Sequence, residues 1–106
     1  MPKYLITASY TAEGVKGLLK DGGTKRRQAA DAAIKSVGGR MEAFYFAFGD
    51  DDAILIVDAP DNVSLAAAGL TINASGAVRT KTTVLLTPEE IDQATKKTAT
   101  YQPPGR

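Results

Sequence analysis

The chain has 106 residues, and its 13 lysines and arginines against 12 aspartates and glutamates give a formal net charge of +1. The chain contains no cysteine, which excludes disulfides, catalysis by a thiol and cysteine-bound iron–sulfur clusters. It also contains no histidine, so the usual imidazole base, the usual zinc ligands and the commonest axial haem ligand are absent. The balanced charge gives no reason to expect nucleic acid or an anionic membrane as a partner, and the sequence predicts neither a metal nor a cofactor.

The first part of the chain predicts one strand followed by two helices. Residues 3–9 alternate in the manner of a strand. Thr11 is a suitable N-cap for a short helix that runs to residue 20. The apolar stripe of this helix is predicted to be Val15, Leu18 and Leu19. A second helix is predicted over residues 24–37, because two glycines stand on each side of it. Its inner face is predicted to be Ala30, Ala33, Ile34 and Val37.

The middle of the chain predicts a hairpin. Residues 40–48 and 52–58 have apolar strand patterns, and the Gly-Asp-Asp sequence of residues 49–51 between them is typical of a tight turn. The near-continuous apolar run of residues 53–57 suits a central strand that is buried on both faces.

The last part predicts a helix, a strand and a final helix. Asp61 is the predicted N-cap of a helix over residues 62–74, and residues 77–86 have a strand pattern. The sequence Thr87-Pro88-Glu89-Glu90 is a capping box with proline at the first helical position. It predicts a last helix that ends near residue 97.

The second strand is apolar on both of its faces. One face carries Phe44, Phe46 and Phe48, and the other carries Met41, Ala43, Tyr45 and Ala47. Because side chains alternate across a strand, neither face can be left to water, and the helices of so short a chain cover only one face of the sheet. The apolar face that the helices leave uncovered therefore indicates a homodimer, or a higher even-numbered oligomer, that encloses a cavity.

The order of the predicted elements is β-α-β-β-α-β with an additional C-terminal helix. This is the split βαβ plan of an α+β ferredoxin-like sandwich, with the first and third strands in the centre and the others at the edges. Residues 1–100 are predicted to be a single domain, and residues 101–106 an extended tail. No apolar run approaches the ~20 residues that span a bilayer, and the residues after Lys3 are typical of a strand rather than a signal peptide. A cytoplasmic protein is therefore expected.

Four segments, taken in order, carry a family resemblance. They are Tyr4-Leu5-Ile6, the glycines and arginines Gly22, Gly23, Arg26 and Arg27, the run Phe46-Ala47-Phe48-Gly49 with Asp52 after it, and Ser75-Gly76-Ala77-Val78-Arg79-Thr80. The series resembles the GYD-domain family over residues 3–100. In the Gly…Tyr-Asp signature of that family, Gly49 and Asp52 match, and Asp51 stands at the tyrosine position. The resemblance implies a dimeric α/β-barrel, in which two ferredoxin-like sheets pack face to face, and it implies no particular activity.

The segment from Gly22 to Arg27 is the sharpest charge feature of the chain. Free N–H groups at a helix N-terminus favour anions, and nearby cations add to that preference. Arg26 or Arg27 is a candidate to hold a carboxylate bidentately. The alternative is a solvated helical face, with Arg27 paired to Asp31 one turn later.

Asp50, Asp51 and Asp52 form a run of three acids. Turn chemistry explains such a run, since aspartate side chains bind their own backbone in turns. The functional alternatives are a weak site for a divalent cation, or a general base at the mouth of a pocket. Asp52 is the best candidate for a base, because it stands at a strand end and matches the family signature.

Two cations and two tyrosines on the predicted strands are further candidates for ligand binding. Arg79 and Lys81 share one face of the last strand, where they either bind an anion or keep an edge strand from pairing with other chains. Tyr4 and Tyr45 are predicted to point to the same side of the sheet. There they either orient a ligand in an apolar cavity or belong to the core.

Two functions follow from these residues. The first is an oligomeric protein that binds a small anionic or aromatic molecule, in a cavity between the sheet and the helices or at the dimer interface. The second is a cofactor-independent monooxygenase or isomerase, in which Asp52 abstracts a proton while Tyr45 or Arg79 stabilises the enolate. This second function rests on analogy with other dimeric α/β-barrels.

Overall fold

The computed structural model of the protein describes residues 1–106 and contains four strands and four helices. They are β1 (Lys3–Tyr10), α1 (Ala12–Asp21), α2 (Gly23–Ser36), β2 (Arg40–Phe46), β3 (Ala53–Asp58), α3 (Asn62–Ala74), β4 (Val78–Leu85) and α4 (Pro88–Thr95). All pairings in the single sheet are antiparallel, in the order β2-β3-β1-β4. The α+β ferredoxin-like fold is thereby confirmed, including the central positions of the first and third strands. None of the four helices combines the length and the apolar composition needed to cross a bilayer.

The core lies between the sheet and the helices. Alternate residues of the central strands point toward α2 and α3, and we call this side of the sheet the helix-side face. Its buried members are Tyr4, Ile6, Ala8, Ala53, Leu55, Val57 and Val78. From the helices, Ile34 of α2 and Leu65 of α3 pack against them. Full burial of a large aliphatic side chain stabilises the fold by roughly 1.5–3 kcal/mol, so this face holds the domain together.

Three of the four helices, α1, α3 and α4, begin where a capping side chain satisfies one of their first N–H groups. The Thr11 hydroxyl accepts from the Gly14 N–H at 3.2 Å, and the Asp61 carboxylate accepts from the Ser64 N–H at 2.8 Å. At α4, the predicted capping box is present, with both reciprocal hydrogen bonds between Thr87 and Glu90 formed. A cap of this kind is worth about 1 kcal/mol, which is why α3 and the start of α4 coincide with the sequence prediction.

The face assignment of Met41 was wrong, because β2 contains a β-bulge. Met41 lies opposite Val57, whereas Ala43 lies opposite Ile56, so Glu42 is the extra residue. A bulge of one residue shifts the alternation. It therefore moves Met41 to the helix-side face, where it packs against the core beside Phe44.

Two other local predictions were also wrong, the second of them in part. The strand β2 ends at Phe46 rather than at residue 48, and Phe48 is fully exposed in the connection to β3. The predicted apolar stripe of α1 packs only in part, since Leu18 is half-buried, whereas Leu19 is 82% exposed and Val15 also faces solvent. A different residue of α1, Gly14, is its one buried residue.

The start of α1 is held against the chain that leads into β4. The Thr11 N–H donates to the Ala77 carbonyl at 3.0 Å, and the Thr11 hydroxyl donates to the Gly76 carbonyl at 2.9 Å. Gly14 lies against the same peptide, where a Cβ atom would come within 2.0 Å of the Ala77 oxygen. Only glycine allows this close approach of two backbones.

Substituting the two glycines inside α1 is expected to change stability in opposite directions. Gly14→Ala should lower the free energy of unfolding by about 1–3 kcal/mol, because its methyl group forces α1 away from Ala77. Gly17→Ala is the matched control, since no atom lies within 4 Å of its added Cβ. It should raise the free energy of unfolding by about 0.5–1 kcal/mol through helix propensity. Urea unfolding measures both, and a gain in stability for Gly14→Ala would contradict the close approach.

Candidate functional site

A small cavity lies on the helix-side face of the sheet. Its volume is about 70 Å³, and 12 of its 14 lining residues are hydrophobic. Side chains of α2 form one wall through Ala30, Ala33 and Ile34, while Ile6 and Leu55 belong to the sheet wall. The cavity exists here because the alanines of α2 are too small to fill the space above the central strands.

Arg26 is the one charged residue that lines this cavity. It lies one turn before Ala30 and so shares the inner face of α2. Its Nε atom is buried and has no hydrogen-bond partner, and the guanidinium belongs to none of the ion pairs of the chain. The first turn of α2 contains no acidic residue. Leaving a buried donor without a partner costs about 1–3 kcal/mol, so an acceptor from outside the chain would stabilise this site.

The other polar member of the cavity is already satisfied. The Thr80 hydroxyl accepts from the Asn73 amide at 2.8 Å, and the Thr80 N–H donates to the same side chain at 3.0 Å. These bonds join α3 to β4. Asn73 and Thr80 therefore have a structural role, and Arg26 remains the polar group of the cavity that is free to bind.

Arg27, the neighbour of Arg26, lies outside the cavity. It lines an open groove of about 530 Å³ between α2 and the edge strand β2. The proposed pairing of Arg27 with Asp31 was wrong, because Asp31 pairs with Lys35 at 2.8 Å instead. The two arginines that the sequence grouped together are thus separated by their positions on α2.

The two candidate tyrosines lie on opposite faces of the sheet, so their predicted common side was wrong. Tyr4 is 1% exposed on the helix-side face, and its hydroxyl donates to the Asn62 side chain. Tyr45 lies opposite Ile54 on the other face and is 70% exposed. The bulge at Glu42 accounts for this separation. Tyr4, Val57 and Met41 lie opposite one another on the helix-side face, and the extra residue after Met41 shifts Tyr45 to the other face.

The second face of the sheet is not covered by any helix, and we call it the open face. Residues that lie opposite one another across the strands share it, and its members include Leu5, Thr7, Ser9, Ala43, Tyr45, Ile54, Ile56, Arg79, Lys81 and Thr83. Aliphatic side chains occupy much of its middle, where Lys81 of the edge strand β4 lies in the same row as Thr7 and Ile54. The other charged side chains occupy its two ends.

One end of the open face holds an ion cluster that the sequence prediction missed. Asp58 is buried, and its carboxylate accepts from Lys3 at 2.9 Å and from Arg40 at 3.0 Å. Lys3 also donates to Glu42 at 2.9 Å. The hydrogen bond from Lys3, followed by that from Arg40, holds the pKa of Asp58 below its ordinary value. The hydrogen bonds to Asp58 and then to Glu42 raise the pKa of Lys3. The partners are far apart in sequence, so only the strand register reveals them.

The opposite end of the open face carries unpaired cations. Arg79 and Lys81 share this face as predicted, and with Thr7, Ser9 and Asp51 they line a polar hollow of about 270 Å³. Neither cation forms an ion pair with any acid of its own chain. This end of the face is therefore positive and open to an anionic partner.

Asp52 forms hydrogen bonds at the ends of β1 and β2, the two neighbours of β3 in the sheet. Its carboxylate accepts from the Tyr10 N–H at 2.8 Å, its own N–H donates to the Ala8 carbonyl at 2.8 Å, and its carbonyl accepts from Ala47. Asp52 is absent from the linings of both the cavity and the polar hollow. Its role as a general base stays a prediction. No three acidic side chains are grouped so that they could hold a metal ion.

Comparison with known proteins identifies the family. Residues 4–95 match the GYD domain, so the chain belongs to the GYD-domain family. Neither a search of curated proteins nor a search of solved structures gave a match. The family assignment agrees with the sequence resemblance and brings no substrate or activity with it.

The ion cluster at Asp58 is expected to make folding stability depend on pH in acid. The folded-state pKa of Asp58 lies below its ordinary 3.8, so the unfolded chain takes up this proton first as the pH falls. The contribution of Asp58 to the free energy of unfolding is therefore complete above pH 3.8 and decreases below it. Urea unfolding at fixed protein concentration, from about pH 7 to about pH 2, should show this decrease.

Asp58→Asn should reduce the decrease of the free energy of unfolding at acid pH, because the titrating carboxylate is gone. Asp50→Asn is the control, since Asp50 lies in the exposed turn and forms no ion pair. An unchanged decrease in Asp58→Asn would assign the pH dependence to other groups.

Proposed function

We propose that this GYD-domain protein binds a small carboxylate with a short apolar chain, and that it does so as a homodimer. The carboxylate is held by Arg26, and the apolar chain occupies the cavity between α2 and the sheet. The observation that carries this proposal is the Nε atom of Arg26, a buried donor of a charged group that has no partner in its own chain.

The chemistry of the lining supports an amphipathic anion. Arginine presents parallel N–H donors that match the two oxygens of a carboxylate. The remainder of the lining is apolar apart from Thr80, and a cavity of this composition favours an alkyl chain over water. Arg26 as a whole is partly exposed, so the charged end of the ligand keeps contact with solvent.

The volume limits the size of the ligand. A cavity of about 70 Å³ compares with the ~30 Å³ that one water molecule occupies in the liquid and with the ~150 Å³ of a cavity that takes benzene. It therefore holds about two or three heavy atoms. Propionate and butyrate fit this limit, with the carboxylate at Arg26, whereas an aromatic acid such as benzoate does not.

The open face supports the homodimer. Its middle is largely aliphatic, with Ile54 still 36% exposed and Leu5 and Ile56 only partly covered in one copy. An exposed apolar patch on a sheet is typical of an interaction surface. A second copy presents the same patch, so one face covers the other in an isologous contact.

Replacing Arg26 is expected to weaken carboxylate binding, while replacing Arg27 is not. Titration with acetate, propionate, butyrate and benzoate, followed by the amide chemical shifts of the protein, should show propionate or butyrate as the tightest ligand. Arg26→Gln should weaken that binding by about tenfold or more, because a charge-assisted hydrogen bond is lost. Arg27→Gln is the matched control, since it removes the same charge from the adjacent residue outside the cavity.

Filling the cavity tests its role separately from the charge. Ala33→Leu retains Arg26 and occupies the space of the alkyl chain, so it should abolish binding. Circular dichroism would establish that the variant is folded. Binding that survives in both Arg26→Gln and Ala33→Leu would assign the ligand to another part of the molecule.

A charge in the middle of the open face is expected to separate the dimer. Sedimentation should give a dimer for the wild-type chain and a monomer for Ile54→Lys, because the second copy would bury the new ammonium group. Leu19→Lys is the control, since it changes an exposed leucine of α1 in the same way. A monomeric wild-type chain would contradict the homodimer, and a dimeric Ile54→Lys would exclude the open face as its interface.

A further inference from the structure

The chain continues beyond β4 as an arm, residues 86–106, that its own domain does not cover. The arm contains α4, which has no buried residue, and it leaves Leu86, Ile91 and Tyr101 exposed. The longest dimension of the molecule is 57 Å, against 33 Å and 23 Å for the others. The arm therefore offers three large apolar side chains to a partner.

Local signals make α4 a helix even though nothing packs on it. It has a complete capping box, a proline in its first turn and acidic residues near its N-terminus. These features favour the start of a helix. An isolated helix of eight residues is nevertheless marginal in water. Packing against a surface outside its own domain would supply the missing stability.

The charge of α4 is complementary to the unpaired end of the open face. Glu89 and Asp92 form no ion pair in their own chain, and Arg79 and Lys81 form none either. The Glu90 carboxylate already accepts a hydrogen bond from the Thr87 N–H at 2.9 Å. Two free acids on the arm thus match two free cations on the sheet.

The direction of packing follows from the two-fold symmetry of the proposed homodimer. A two-fold axis that places β4 over β4 runs the two strands in opposite directions, so that Arg79 and Lys81 of the two copies are not stacked on one another. In this arrangement, these cations lie over the end that holds the ion cluster, whose four charges sum to zero. At that end, next to Leu85, β4 of the second copy leads into its arm.

The area of the open face also calls for an additional contact. Four strands with a longest length of eight residues give a face of about 27 Å by about 19 Å, or about 500 Å². Stable interfaces bury about 800 Å² on each partner. An eight-residue helix adds about 120 Å² of footprint, at 12 Å length and about 10 Å diameter, and the tail adds more.

We infer that α4 of each copy docks beside β4 of a second copy, with Glu89 and Asp92 next to Arg79 and Lys81 of that copy. This inference rests on the proposed homodimer through the open face. The contact occurs twice in the dimer because of the two-fold symmetry. The ligand of the cationic end is then the second copy of the chain, rather than a free small anion.

Reversing the charges on each side of this contact tests it. The arm variant carries Glu89→Lys with Asp92→Lys, and the face variant carries Arg79→Glu with Lys81→Glu. Sedimentation should show that each variant alone dimerises at least tenfold more weakly than the wild-type chain. The control, Lys16→Glu with Lys20→Glu on α1, changes the charge by the same amount as the face variant and should dimerise like the wild-type chain.

A mixture of the two variants gives the decisive measurement. In the mixed dimer, the reversed arm meets the reversed face, and the unaltered arm of the face variant meets the unaltered face of the arm variant. Both contacts are then complementary, so an equimolar mixture should recover the wild-type dissociation constant. Circular dichroism of each variant establishes that it is folded.

The remaining outcomes separate the two proposals. A wild-type chain that is monomeric would overturn the homodimer and the arm contact together. A wild-type dimer with unweakened variants would overturn the arm contact alone. If the face variant weakens the dimer and the arm variant does not, or if the mixture fails to recover, the cations meet another part of the second copy, and the assignment to α4 is wrong.

Discussion

The structure depends on one constraint: a four-stranded sheet has two faces, and the helices of this chain cover only one. The covered face contains the core, in which Tyr4, Ile34 and Val57 are almost fully buried. The central strands β1 and β3 are each hydrogen-bonded on both edges, so the register of the strands that form the helix-side face is fixed. The open face is fixed by the same hydrogen bonds, and its side chains are therefore presented in a defined array even where no partner covers them.

The cavity on the covered face is costly for a domain of this size. A core cavity of about 70 Å³ would cost at most about 2 kcal/mol if it were enclosed and unfilled, at about 24 cal/mol per Å³. The unpartnered Nε atom of Arg26 adds roughly 1–3 kcal/mol. Together they are a large part of the 5–15 kcal/mol by which domains are ordinarily stable. One larger residue in place of Ala33 would remove much of the first cost, so the combination of small side chains and one cation supports the ligand proposed above.

The sequence predicted those features that depend on neighbouring residues. The caps at Asp61 and Thr87 act over three residues, and α3 and the start of α4 were located from them. The order of the strands followed from the βαββαβ plan. Arg26 was identified as a candidate from its position beside two glycines. The sequence could not predict which of Arg26 and Arg27 lines the cavity, because that depends on how α2 is rotated against the sheet.

Features that depend on distant residues escaped prediction. The bulge at Glu42 has no local signal, and it reversed the face of Met41. Asp58 pairs with Lys3, 55 residues away in sequence, so its ion cluster becomes visible only with the register of β1 and β3. The close approach of Gly14 to Ala77 has the same origin. In each case, contacts between segments that are distant in the sequence decide the outcome, and a pattern of single residues does not encode them.

The apolar run of β3 contributes to both faces of the sheet, and so to the homodimer proposed above. Ala53, Leu55 and Val57 are buried in the core, while Ile54 and Ile56 belong to the open face. If the remaining exposed area of about five open-face side chains is worth about 1 kcal/mol each, two copies gain about 10 kcal/mol from mutual burial. Association costs an estimated 4–15 kcal/mol in lost freedom. In the proposed dimer, burial of the aliphatic patch therefore roughly offsets the free energy that association costs. The charged ends of the open face and the arm then decide whether the dimer is stable.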